Sequence, residues 1–107
     1  MADDTDRLLR RLIGGDETAR SQILELATTT TSPVLLVAAA LVDGRADHLV
    51  RASRSAESTR DRQLVAIATA HLRDDADLLD ALVRDHLSDH PDNVLVAWIA
   101  GRPAISG

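Results

Sequence analysis

Three of the four histidines have a spacing that suits a metal ion. His86 and His90 lie four positions apart, which lets two imidazoles on one helix face reach the same ion. His71, on the preceding amphipathic stretch, is a candidate third ligand. One alternative is therefore a histidine-based metal-binding protein or hydrolase. A metalloprotease helix would carry Glu directly after the first histidine, but Leu87 occupies that position and removes the usual general base.

We favour a structural role for the same histidines. His71 and His86 fall on apolar stripes, where a histidine is hydrogen-bonded to backbone or to another histidine. His90 falls at the end of a predicted helix, where a cation is favourable. We therefore predict no catalytic residue, no bound metal and no cofactor.

Other candidate chemistries are weaker. The acidic cluster lacks the central Gly and terminal Glu of a calcium loop, so it indicates a capped turn with a solvated face. Its members are Asp74, Asp75, Asp77 and Asp80. Ser53 and Ser55 have no strand-turn-helix elbow around them, and the chain contains no cysteine for a thiolate site.

Charge and residue usage bear on the class of partner. The 107 residues include 17 acidic and 12 basic side chains, and every basic one is Arg. A net charge of −5 argues against binding nucleic acid, which requires a basic face. Short helices joined by tight turns nevertheless keep a DNA-binding regulator as a second alternative. The longest apolar run, at 34–42, is too short for a membrane span, and the first residues lack a signal-peptide pattern, so we expect a cytoplasmic protein.

Apolar periodicity predicts an all-α fold in a single domain covering 1–107. Three units recur, at 15–43, 44–74 and 75–102, and each pairs an amphipathic stretch with an alanine-rich apolar one. Tandem helix pairs of this length are typical of antiparallel hairpins stacked as a short α-solenoid. The stretch at 34–42 is apolar on every side, so this helix should be covered all round.

Local signals predict where these helices begin and end. Gly14 and Gly15 should end a first helix, and Asp16 should cap the second. Ser32 and Pro33 are a helix start, and the polar link at 58–62 should cap a helix at about 60–73. We also expect Asp47 to pair with Arg51, and Asp92 to cap a last helix at 93–100.

Residues 63–100 resemble a tetratricopeptide unit. The resemblance is clearest at 77–98, which read DLLDALVRDHLSDHPDNVLVAW and are similar to the second helix of a repeat and the start of the next repeat. Val83, Leu87 and Pro91 match large buried positions and the terminal proline of that family. Residues 58–63 more particularly resemble the tetratricopeptide-repeat-38-like group. His71 and His86 depart from the pattern, in slots that usually hold Tyr and Ala.

The resemblance implies a non-catalytic adaptor that binds a protein or peptide in a groove. The matching groove positions are Arg62, Thr69, Arg73 and Asn93. The last helix has apolar residues on more sides than one neighbour can cover. We therefore predict that it packs against a second copy, giving a homodimer. The residues of this predicted interface are Val94, Trp98 and Ile99.

Overall fold

The computed structural model describes residues 4–91 and 93–101, and every regular element within these ranges is an α-helix. This confirms the all-α class. In chain order the helices are α1 (Asp4–Ile13), α2 (Glu17–Leu26), α3 (Pro33–Asp43), α4 (Ala46–Ser55), α5 (Thr59–Leu72), α6 (Ala76–Asp89) and α7 (Val94–Gly101).

Side-chain caps begin five of these helices, and the fifth, at the start of α7, is described with the polar network below. The Asp16 carboxylate accepts hydrogen bonds from the backbone N–H groups of Thr18 and Ala19 at the start of α2. Ser32 caps α3, Ser58 caps α5 and Asp75 caps α6, each by accepting one backbone N–H. These caps satisfy donors that have no partner within their own helix. The predicted starts at Asp16 and Ser32 are confirmed, and within the predicted capping link at 58–62 the capping residue is Ser58.

Helix α3 lies at the centre of the core. Every residue from Leu35 to Leu41 is buried, and α3 contacts α2, α4 and α5. Ala38, Ala39 and Ala40 are fully buried, and their small side chains allow neighbouring helices to approach closely. The prediction that this helix is covered on all sides is confirmed. Within the described ranges, no helix combines the length and apolar character needed to cross a bilayer.

The helices form a compact body with extents of 32 × 31 × 25 Å. Consecutive helices contact each other, and α3 also contacts α5 while α5 contacts α7. In a one-dimensional repeat stack each unit touches only its neighbours. Here α1 also contacts α7, which joins the two ends of the described chain. The contacts therefore support an all-α fold, and the solenoid of stacked hairpins stays a prediction.

The predicted ion pair between Asp47 and Arg51 is wrong. Arg51 instead donates from its two terminal nitrogens to the carbonyl oxygens of Ala27, the C-cap of α2, and of Thr30 in the link that follows. Carbonyls at a helix C-terminus have no partner in their own helix, and a charged fork is a strong donor to them. Asp47 pairs with Arg45 at 3.2 Å on the exposed surface. Arg51 therefore ties α4 to the end of α2.

Candidate functional site

A groove of about 510 Å³ lies between α4 and α5. Its floor is apolar, because Leu49 and Val65 are buried and Leu72 is half-buried. Val50 stands over this floor with half of its surface (50%) exposed to solvent. The remaining lining residues are Gly44, Ala46, Ser53, Arg54, Thr69 and Arg73.

The sequence of α4 explains why the groove stays open. Leu49 and Ala52 are the buried residues of α4, which packs against α3 on one side and α5 on the other. Val50 projects at a different angle from Leu49, so it reaches the edge of the helix pair, where no described helix covers it. On α5, the Thr69 hydroxyl donates to the carbonyl of Val65 at 2.8 Å. Its oxygen keeps lone pairs that can accept from a ligand.

Arg54 and Arg73 lie at opposite ends of the groove. The link between the two helices covers only residues 56–58, so α4 and α5 run in opposite directions. Arg54 lies in the last turn of α4, and Arg73 directly follows α5. Both are exposed, and neither side chain forms an ion pair or hydrogen bond with another described residue. No carboxylate lines the groove in the described part of the chain.

The structure brings together two of the four predicted groove residues. Thr69 and Arg73 both line the groove. Arg62 is exposed one turn before Val65 on the same side of α5, but it does not line the groove. Asn93 is buried, with only 5% of its surface exposed, and so is out of reach of a partner.

The residues that α4 contributes to the groove, among them Val50 and Arg54, were not predicted from the sequence. In the sequence, helical spacing places Leu49 and Val50 on the apolar face of α4 and Arg54 on its polar face. Val50 and Arg54 are four residues apart on one side of α4, so an apolar and a charged residue border the same surface. That spacing was the available signal, but it does not reveal which neighbouring helix leaves the surface uncovered.

A buried polar network joins α5, α6 and α7. Asn93 Oδ1 accepts from the backbone N–H groups of Leu95 and Val96, so it caps α7. Its Nδ2 therefore faces the ring of His86 and donates to Nε2 at 2.9 Å. Because Nε2 accepts, the proton of the neutral ring is on Nδ1, which donates to Gln63 Oε1 at 2.8 Å. The predicted cap Asp92 lies outside the described residues.

This environment holds His86 in its neutral form. The ring is fully buried, and burial lowers its pKa below the ordinary value of 6.5. The nearby positive charges of His90 and Arg60 lower the pKa further, and Asp89 opposes them. A buried imidazolium would also direct a second N–H at the amide group of Asn93, which offers a donor and no acceptor there.

The histidine-metal alternative would require this network to break. Both ring nitrogens of His86 are already hydrogen-bonded. The ring of His90 lies 4.9 Å from that of His86, and His90 is the C-cap residue that follows α6. His71 is buried on α5. Within residues 4–91 and 93–101, no three His, Cys, Asp or Glu residues are placed to hold a metal ion. The prediction of a buried, hydrogen-bonded His86 is confirmed, but its predicted partners are wrong, because the ring bonds to the side chains of Gln63 and Asn93 and not to backbone or another histidine.

The predicted dimer interface is partly covered by the chain itself. Ile99 is only 2% exposed and belongs to the core. Trp98 is half-buried and lines a cavity of about 300 Å³ with Leu12 and Ile13 of α1. The side chain of Val94 lies outside the described residues. The homodimer stays a prediction, with Trp98 as the partly accessible member of its interface.

No protein-family model, curated protein or solved structure matches this chain. The tetratricopeptide resemblance stays a prediction. The described residues define an all-α protein with an apolar groove between two arginines and a separate buried histidine network.

Proposed function

We propose that this protein is a non-catalytic adaptor that binds a protein or peptide partner in the groove between α4 and α5. The observation that carries the proposal is the half-exposed Val50 above the apolar floor formed by Leu49, Val65 and Leu72. Ligand sites are typically concave and mostly apolar, with a few polar groups that fix orientation. The groove has this composition, with Thr69 and two arginines as its directional groups.

Binding fits the groove better than catalysis does. A catalytic site needs a nucleophile within reach of a general base, or a pair of titratable groups. The described lining offers the hydroxyl groups of Ser53 and Thr69, but no His, Asp or Glu to accept a proton from them. Arginine keeps its proton at any physiological pH. The lining can therefore orient a ligand, but it has no evident means of transferring a proton.

The proposed architecture is a short tetratricopeptide-repeat-like stack closed on itself. Supporting this, consecutive helices pack together, and α3, α5 and α7 contact one another in turn, as expected for stacked hairpins. The contact between α1 and α7 would then be an addition that covers the end of the stack. The groove between α4 and α5 belongs to the middle unit of the predicted repeat.

A matched pair of surface substitutions tests the proposed binding site. Val50 and Leu78 are almost equally exposed, at 50% and 48%, but only Val50 lies in the groove.

In the experiment, a displayed library of random 12-residue peptides is selected on the wild-type protein, and enriched peptides are titrated into each variant. We expect Val50→Glu to weaken binding at least tenfold, or about 1.4 kcal/mol, because a charge replaces apolar contact area. Leu78→Glu should bind like wild type. Failure to enrich any peptide, or equal binding by both variants, would contradict the proposal.

A further inference from the structure

The charge of the groove specifies the chemistry of its partner. Building on the proposed function, we infer that the groove recognises an acidic peptide segment. One apolar side chain rests on the floor, and carboxylates on both sides of it pair with Arg54 and Arg73. The occupant is therefore a partner chain rich in Asp or Glu around a Leu, Ile or Val.

Charge complementarity is the first support. The chain as a whole is acidic, with a net charge of −5. The lining of the groove reverses this balance, because it holds two arginines and no carboxylate among the described residues. Two other cavities mix both signs. The one between α1 and α2 combines arginines with Glu25, and the one beside Trp98 combines Arg20 with Asp16 and Glu17. The groove is thus a locally positive concavity on an acidic protein.

The second support is that Arg54 and Arg73 are unengaged among the described residues. Some exposed arginines elsewhere pair with carboxylates, as Arg11 does with Asp16 at 2.9 Å and Arg84 with Asp80 at 2.6 Å, whereas Arg60 and Arg62 form no ion pair among the described residues but do not line a cavity with an apolar floor. Acidic groups lie near Arg54 and Arg73 along the chain, but none is within ion-pair distance of them in the described ranges. Those neighbours are Glu57, Asp74 and Asp75.

The positive region extends beyond the groove on the Arg54 side. Arg54 also lines a second depression, which contains Arg51 and Ser55 and borders the threonines at 29–31. Arg51 is held there by the carbonyls of Ala27 and Thr30, so its charge is fixed in place. This second depression likewise has no carboxylate in its described lining. A carboxylate bound to Arg54 would therefore lie in the field of two guanidinium groups.

The spacing of the arginines sets the pattern of the peptide. A helix rises 1.5 Å per residue, so the groove extends about 12 Å from Ala46 to Arg54. An extended peptide advances about 3.3 Å per residue, so roughly four residues cover that length. Carboxylates placed just outside one or two apolar residues would therefore reach both ends. A guanidinium group donates to a carboxylate through two parallel hydrogen bonds, which adds geometric selectivity to charge attraction.

Charge-reversal variants test the inference with peptides selected on the wild-type protein. We expect the enriched peptides to carry Asp or Glu on both sides of an apolar residue, and their affinity to fall as salt is raised. Arg54→Glu/Arg73→Glu should weaken binding at least tenfold. The control, Arg7→Glu/Arg84→Glu, makes the same change in net charge at exposed positions outside the groove and should change binding less than twofold. Circular dichroism would verify that each variant is folded.

The outcomes separate this inference from the proposed function. Neutral or basic peptides that lose affinity on Val50→Glu, but not on Arg54→Glu/Arg73→Glu, would overturn the acidic class and keep the groove as a binding site. Peptides indifferent to both Val50→Glu and the charge reversal would overturn both proposals. A wild-type dimer that Val50→Glu converts to monomer would show that a second copy occupies the groove, and it would also overturn the acidic-peptide inference.

Discussion

Asn93 Nδ2 donates to Nε2 of His86 across 2.9 Å of the buried space between α6 and the start of α7. The same amide caps α7 through its oxygen, so one side chain starts a helix and fixes the tautomer of a histidine. Gln63 on α5 accepts from the other ring nitrogen. The last three helices are therefore held together by a chain of hydrogen bonds that requires His86 to be neutral.

The first prediction concerns pH. Because burial lowers the pKa of His86 in the folded protein, the unfolded chain binds a proton more readily between that lowered value and 6.5. The contribution of His86 is thus fully present above pH 6.5 and is lost as pH falls through this window. We expect the free energy of unfolding, measured with urea, to fall more steeply between pH 7.5 and pH 5 in wild type than in His86→Gln. Parallel pH profiles for the two proteins would contradict the neutral-histidine network.

The second prediction separates capping from burial at Asn93. Asn93→Ala removes the cap of α7 and leaves the buried Nε2 of His86 without a donor. We expect a loss of about 2–4 kcal/mol in the free energy of unfolding, since a lost cap costs about 1 kcal/mol and an unsatisfied buried group about 1–3 kcal/mol. Ser58→Ala, which removes only the cap of α5, should cost about 1 kcal/mol. Equal losses in urea unfolding would show that the bond to His86 adds nothing.

The third prediction concerns Arg51. Arg51→Met keeps much of the aliphatic stem but removes both bonds to the end of α2. We expect the free energy of unfolding to fall by about 1–3 kcal/mol, because the carbonyls of Ala27 and Thr30 lose a charged donor. Arg84→Met removes an exposed pair with Asp80 and should have little effect. Comparable thermal midpoints for the two variants would rule out a stabilising role for Arg51.

The fourth prediction distinguishes Ile99 from Trp98. Ile99 is 2% exposed within its own chain, so Ile99→Ala should destabilise the folded chain by about 2–5 kcal/mol. Trp98→Ala should instead shift any dimer toward monomer in sedimentation equilibrium at micromolar concentration, since Trp98 is the partly accessible residue of the predicted interface. A wild type that sediments only as monomer would refute the homodimer.

Local signals in the sequence predicted the starts of three helices. Asp16, Ser32 and Ser58 act within their own first turns, so a short window of residues contains both the cap and the groups it satisfies. The all-apolar pattern of α3 likewise predicts its central position without knowledge of its neighbours.

Contacts between residues far apart in the sequence could not be predicted from short windows of residues. Arg51 bonds to a carbonyl 24 positions earlier, and His86 to an amide 23 positions earlier. Helical spacing suggested Asp47 as the partner of Arg51, and the apolar position of His86 suggested backbone or another histidine as its partner. The groove was missed for the same reason, because it depends on how far α4 and α5 separate around Val50. Long-range packing decides such distances, and one amphipathic stripe does not encode them.

The most direct test of the central claim is an NMR titration of the isotopically labelled wild-type protein with its tightest selected peptide. Binding in the groove predicts saturable shifts in the backbone amide signals of Leu49, Val50, Ser53 and Thr69, and at least tenfold more of the same peptide should be needed to produce them in Arg54→Glu/Arg73→Glu. Shifts confined to α1 and α2, or unchanged by the charge reversal, would contradict the account.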